Sequence, residues 1–410
     1  MRLLPLLCLL ALPLPAAAES LSKEIGRTGL SQTATRLETL PSPSPADLFA
    51  LGGVRFLGTI EAALQLRWRS GLSDPTGLLP FLRLPMAENP TPPPIDPALF
   101  SDLFTMTSQR MDAARAPLDA LPADAEFSVE IDLADLWFDI NANSKRDPGE
   151  RAIEVLGPII VGFSFILYDP SGPWPAIKFD AADAAWLSAY THLLQGTSEV
   201  LLAYDPTEPI SRILQARAAM EQLSHLSPDM FLGSGESGPD SIDIFAAVLA
   251  MLQQTPDTPR MRAAHEHFLA AIADNRRFWA AVDLETDDDA EWLPNDRQKS
   301  ALGIELPMGT GAAWMDILTD AEDILRGNKL VPFWRFEGLE FDGADPTPAK
   351  GGINFGKVFT DPRPIDLAGW IQGWAAVPYL EKGPLVSWQS WSTLQNLLGG
   401  RGMLMVLYLN

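Results

Sequence analysis

The chain has 410 residues, 47% of them apolar, and a formal net charge of −23 from 30 Lys and Arg against 53 Asp and Glu. That surplus of negative charge excludes nucleic acid and anionic lipid as natural partners, because both would be repelled. The one cysteine, Cys8, excludes a disulfide framework and a multi-thiolate metal centre.

Residues 1–18 carry the pattern of a secretory signal. Arg2 precedes an apolar stretch from Leu3 to Leu14, and Ala16-Ala17-Ala18 stands before Glu19 as a cleavage site. Cys8 lies inside that apolar stretch, so it is one more signal residue and not a lipid attachment point. No later segment offers about 20 uninterrupted apolar residues, so the expectation is a periplasmic or secreted protein with no transmembrane segment.

Residues 19–121 read as an N-terminal helical region. The cluster Pro41-Ser42-Pro43-Ser44-Pro45 precedes a helical pattern over 46–70, where Leu48, Leu51, Phe56, Leu57, Ile60, Leu64 and Trp68 recur at helical spacing. Gly52-Gly53 weakens the middle of that helix. A proline-rich connector over 89–94 leads to a second helix from Ala98 to about Asp119, with Met106 and Met111 as core filler.

Residues 122–178 change character and read as a small α+β segment. Phe127, Val129, Ile131 and Leu133 alternate with polar residues as in a strand, and the β-branched and aromatic run 159–168 suggests another. Residues 179–410 read as a C-terminal helical domain. It opens on Asp180 as an N-cap with Asp183 as the acidic third residue. Further helices are expected at 209–226, 241–254, 259–282, 311–326 and 387–398, with loops at 234–239 and 338–364. The apolar end 403–409 suits a buried strand or helix end. The fold class is therefore mainly α, a multi-helix globular protein with one small α+β segment.

The most specific chemical signal lies inside that segment. Asp139, Asn141, Asn143, Asp147 and Glu150 occupy positions 1, 3, 5, 9 and 12 of a twelve-residue stretch, and the carbonyl of Lys145 falls at position 7. A hard cation needs six to eight oxygens around one point, and this spacing supplies them from one short turn. Over these twelve residues the chain resembles an EF-hand calcium loop, and more closely the single loops of bacterial exported and surface proteins that also end in Asp-Pro-Gly-Glu. The resemblance implies one structural calcium ion held by Asp139, Asn141, Asn143, Lys145, Asp147 and Glu150. Two departures shape that expectation. Ser144 stands where the loop turns sharply and glycine is usual, and Arg146 stands where paired loops carry an apolar residue. A solitary site of weak affinity follows, on the order of 10⁻⁴ to 10⁻³ M. An Asn/Asp-rich turn without a metal would use the same residue types.

Other motifs carry less. In His265-Glu266-His267 the two imidazoles are two residues apart and face different ways on a helix, unlike the i, i+4 pair of a zinc helix. His192 and His225 stand alone in the sequence. The acidic run Glu285-Thr286-Asp287-Asp288-Asp289-Ala290-Glu291 reads as a solvated helix end, or alternatively as a source of acid/base carboxylates beside Trp292. Of the twelve tryptophans, Trp370, Trp374, Trp388 and Trp391 crowd the C-terminal part. Core packing is their ordinary use, and stacking on sugar rings the alternative. The expected function is an exported calcium-braced protein with a binding or structural role and an unidentified protein or glycan partner. The alternatives are a glycan-active hydrolase or lyase on a helical scaffold, and an envelope adaptor with a Trp-rich C-terminal surface.

Overall fold

The computed structural model describes residues 19–72, 84–160, 174–223, 239–336 and 350–409. Helix dominates these residues, and two small antiparallel sheets complete the fold. The signal-like residues 1–18 lie outside the described part. No helix among the described residues is long and apolar enough to cross a membrane.

Helix α1 (Leu21–Glu38) has no counterpart among the expected elements. Its backbone breaks at Gly29, where φ is 77° and ψ 175°, so the buried Ile25, Leu30 and Leu37 do not share one helical period. The indole N–H of Trp137 donates to the Ile25 carbonyl in the turn before the break, at 3.0 Å. A side chain at position 29 would put its Cβ 3.1 Å from the Trp137 ring.

Helix α2 (Pro45–Ser70) begins with a reciprocal capping box between Ser44 and Asp47 and ends at Gly71 in the left-handed region. Helix α3 (Leu99–Asp119) packs along it. The two adjacent glycines of α2 have different roles. A Cβ on Gly52 would lie 2.6 Å from Leu118 Cδ2, so this glycine sets the approach of α3, whereas a Cβ on Gly53 would meet nothing within 4 Å.

Strand β1 (Val129–Asp132) pairs antiparallel with β2 (Ala176–Phe179), with Val129 opposite Phe179 and Ile131 opposite Ile177. Between them in sequence lies α4 (Ala152–Ile160). The strand expected over 159–168 is therefore corrected at its start, since residues 159 and 160 close a helix, and its remainder falls outside the described residues. A continuous apolar run fits a buried helix as well as a buried strand, and periodicity does not separate them.

The helical C-terminal region follows its expected order. It contains α5 (Ala181–Ala203), α6 (Thr207–Glu221), α7 (Pro239–Leu252), α8 (Thr258–Val282) and α9 (Thr310–Arg326). Asp180 caps α5 in a box with Asp183. Gly196 lets α8 close on α5, because a Cβ there would stand 2.9 Å from Phe268. Beyond α9 come β3 (Gly351–Ile353), α10 (Gly356–Thr360), α11 (Leu367–Gln372), β4 (Leu380–Lys382), α12 (Gln389–Leu397) and α13 (Gly402–Leu409). The loop expected over 338–364 thus contains a strand and a short helix. Its glycines serve close packing, since a Cβ on Gly351 would fall 1.9 Å from the Glu381 carbonyl.

Two principal cores result. One joins α5, α8, α9, α12 and α13 around Phe278, Trp279 and Leu394. The other joins α1, α2, β1 and α4 around Ile25, Phe138 and Val155. Helix α5 reaches both, through Ala182 and Leu187.

The α2 glycines give the first prediction. Gly52→Leu is expected to lose about 1–3 kcal/mol through overpacking against Leu118, while Gly53→Ala gains up to about 1 kcal/mol from helix propensity. Urea unfolding of both variants checks the contrast.

Candidate metal loop and apolar cavity

The stretch from Asp139 to Glu150 forms a closed turn. Its ends are tied by Phe138 N–H donating to the Glu150 carbonyl at 2.8 Å, with Trp137 and Arg151 bridged alongside. The Asp139 carboxylate accepts from the backbone N–H groups of Asn143 and Ser144, both at 2.9 Å. Ser144 has φ 60° and Ala142 φ 58°, so the sharp turn falls at the position expected to carry that strain. Asn141 and Asn143 each donate a carboxamide N–H to Asp147 Oδ2, at 2.8 and 2.7 Å, and these bonds hold Asp147 below the usual carboxylate range. The Lys145 N–H donates to Asn143 Oδ1. Glu150 is 4% exposed, and its two oxygens accept from the backbone of Ile140 and Asp147.

All six sequence-chosen residues therefore belong to one hydrogen-bonded turn. Its carboxylates are occupied by N–H donors. Among the described residues no group of three or more His, Cys, Asp or Glu side chains is placed to hold a metal.

One acid beside the loop escaped the sequence reading. Glu61 of α2 is 8% exposed, and its Oε2 accepts from the Asp139 N–H at 2.8 Å. One turn further along, Gln65 donates to the Asp139 carbonyl. Burial, with the nearby Asp139 and Glu150 charges adding to it, pushes the Glu61 carboxyl up to about 7. The only signal in the sequence is a carboxylate and a carboxamide four residues apart in a largely apolar stretch of α2, 78 positions from their partner.

The remaining candidates resolve differently. His192 is not isolated, since its Nδ1 lies 2.9 Å from Nδ1 of His267. Burial lowers His192 to about 4 and lowers His267 as well. His265 points elsewhere, with Nε2 2.8 Å from the Leu325 carbonyl and its ring stacked on Phe359. The acidic run is folded back on the protein. Asp289 pairs with Lys178, Asp288 accepts from Lys299 N–H, Glu291 accepts from Asp289 N–H, and Glu285 accepts from Gln298 at 3.0 Å. This run faces Asp180 and Asp183 at the start of α5, and burial raises Glu285 to about 7 and Asp183 well above its ordinary value.

Against this acidic corner lies a cavity of about 360 Å³. Its walls come from α1, α2, the β1–β2 sheet, α4 and α5, and are almost wholly apolar, Phe49, Leu57, Ile131, Leu156, Trp186 and Trp292 among them. Among the described residues Asp183 is the one carboxyl on the wall. Trp292 meets the rings of Trp186 and Tyr408 edge to face, and its buried indole N–H has no hydrogen-bond partner. The space is partly open to the surface, so it is a pocket and not a sealed void.

Compared with protein-family models, curated proteins and solved structures, the chain matches none. The site is thus read from its own geometry.

Glu285 supplies a pH prediction. Its folded-state value of about 7 exceeds its ordinary 4.5, so the folded protein holds this proton more tightly than the unfolded chain. The associated stability is full below about pH 4.5 and is lost as pH rises through about 7. Glu285→Gln is expected to raise Tm by about 2 °C near pH 8 and to change it little near pH 4.5, as read by melts at both values.

Proposed function

We propose that this is an exported, calcium-braced binding protein whose Asp139 to Glu150 loop takes one structural calcium ion. The observation that carries this reading is the turn itself, in which Asp139 clasps two consecutive backbone N–H groups and Ser144 accepts a left-handed backbone at φ 60°. A serine bears that strain where the loop's closure demands it. Donor chemistry supports the same reading. The two carboxamide N–H groups on Asp147 supply the positive charge density that a cation would bring, and half a rotation of each amide presents its carbonyl oxygen in their place. The shell would be completed by Asp139, the Lys145 carbonyl, Asp147 and Glu150, and binding would draw those three carboxylates together around the ion. The ion would screen the mutual repulsion of Asp139, Glu150 and Glu61 and fix the loop against α2.

A structural role fits better than a sensing one. Arg146 offers no apolar contact to a second loop, and sensors work by opening a groove between paired loops. The glycan-hydrolase alternative gains no support from the cavity, whose wall carries one carboxyl among the described residues where a hydrolytic pair needs two. The adaptor alternative keeps one specific observation in its favour. Trp334, Ile371, Trp374 and Val377 are 49%, 66%, 56% and 62% exposed, and Arg335, over the Trp334 ring, donates to the Gln372 carbonyl beside them.

Thermal and urea unfolding with about 10 mM calcium, against EDTA, tests the leading reading. A site of 10⁻⁴ to 10⁻³ M predicts a gain of about 1–3 kcal/mol with calcium. Glu150→Gln is expected to abolish the gain. Identical unfolding in both media would end the calcium reading.

A further inference from the structure

The cavity beneath the β1–β2 sheet is unrelated to the calcium loop's donors, and its chemistry defines a ligand of its own. Water is a poor occupant, because a buried water needs two to four polar partners. The wall offers few. The Asp183 carboxylate accepts from the Asp180 N–H in the α5 capping box, and the Tyr408 hydroxyl already bonds the Trp292 carbonyl. Size is the second constraint. An apolar cavity of about 150 Å³ lined by Leu, Ile and Phe accepts benzene, so a space of 360 Å³ takes roughly 14 carbon-sized atoms on the same scale. That volume also lies within the range of small-molecule sites.

Charge is the third constraint. Asp183 stands on the wall with Asp180, Glu285 and Glu291 behind it, and the lysine of this corner, Lys178, is paired with Asp289. An anionic headgroup entering there would be desolvated beside these acids, with no cation on the wall among the described residues to receive it.

We propose that this cavity binds one uncharged, hydrocarbon-like molecule of roughly 14 heavy atoms and discriminates against carboxylate-headed amphiphiles of the same length. Calcium plays no part in this assignment, so the failure of one leaves the other standing.

Gly53 makes the test clean. It lines the cavity in the middle of α2, and a Cβ there meets no atom within 4 Å. Gly53→Phe therefore projects a ring into the cavity without a clash at its base, and Gly53→Leu does so with a smaller group. Both also remove a helix-weakening glycine. Fluorescence titration of the 19–410 chain with the neutral dye N-phenyl-1-naphthylamine reads binding, in EDTA and in calcium alike. The expected result is saturation at one dye per chain, and displacement by 1-dodecanol about tenfold more effective than by dodecanoate near pH 8. Gly53→Phe should weaken dye binding by at least about tenfold with an unchanged or higher Tm. If Gly53→Phe fails to fold, Gly53→Leu carries the same expectation with a smaller loss. Dye affinity unchanged in a folded Gly53 variant overturns the proposal. So does loss of binding on Trp374→Ser alone, which would place the dye on the exposed C-terminal surface, and so does displacement by dodecanoate equal to that by dodecanol.

Discussion

Helix α5 is the constraint on which the rest of the structure depends. It is buried on several sides, against α3, α8 and both principal cores, and a helix in that position needs small side chains and satisfied polar ones. Its sequence supplies both. Ala182, Ala189 and Gly196 allow close approach, while Ser188 donates to Asp274 of α8 at 2.6 Å and Gln195 accepts from Arg115 of α3 at 2.9 Å. Glu199 extends the seam by accepting from Ser108 of α3 and Arg260 of α8. An unpaired group here would cost about 1–3 kcal/mol. The seam therefore specifies one arrangement of α3, α5 and α8 among the many that apolar contact alone would allow.

The loop and the cavity are two consequences of how α2 sits in that arrangement. Glu61 and Gln65 in its C-terminal half reach the loop, while Phe49, Gly53 and Leu57, earlier in the same i, i+4 row, line the cavity wall. The two places share α2 but use different residues of it. The buried Glu61 is the costly element of this arrangement, and a cation in the loop would offset its repulsion with Asp139 and Glu150.

Much of the helical order was legible from the sequence, for definite reasons. Asp180 and Asp183 are a local signal and form the reciprocal cap that their spacing suggests, and Ser44 and Asp47, not picked out from the sequence, form another. The turn from Asp139 to Glu150 was likewise legible, because the side chains that close it fall within twelve positions. What escaped depends on distance in the chain. Helix α1 was invisible because its apolar period is reset at Gly29, beside which Trp137 packs from far along the chain. Glu61 and the His192–His267 contact join residues 78 and 75 positions apart. The cavity has no sequence signature at all, since its walls are ordinary core residues that happen not to meet.

The last helix carries a consequence for the order in which the protein assembles. The Leu409 carbonyl accepts from the indole of Trp279 and from the carboxamide of Asn275, whose own oxygen accepts from Trp314. Two buried donors on α8, the Trp279 indole and the Asn275 carboxamide, thus find this partner only when α13 is in place. During synthesis from the N-terminus, α5, α8 and α9 can gather long before α13 exists, but their shared core stays open on one side until it docks. Helix α13 acts as a latch on α8. Whatever holds the nascent protein in solution must do so until α13 has been made.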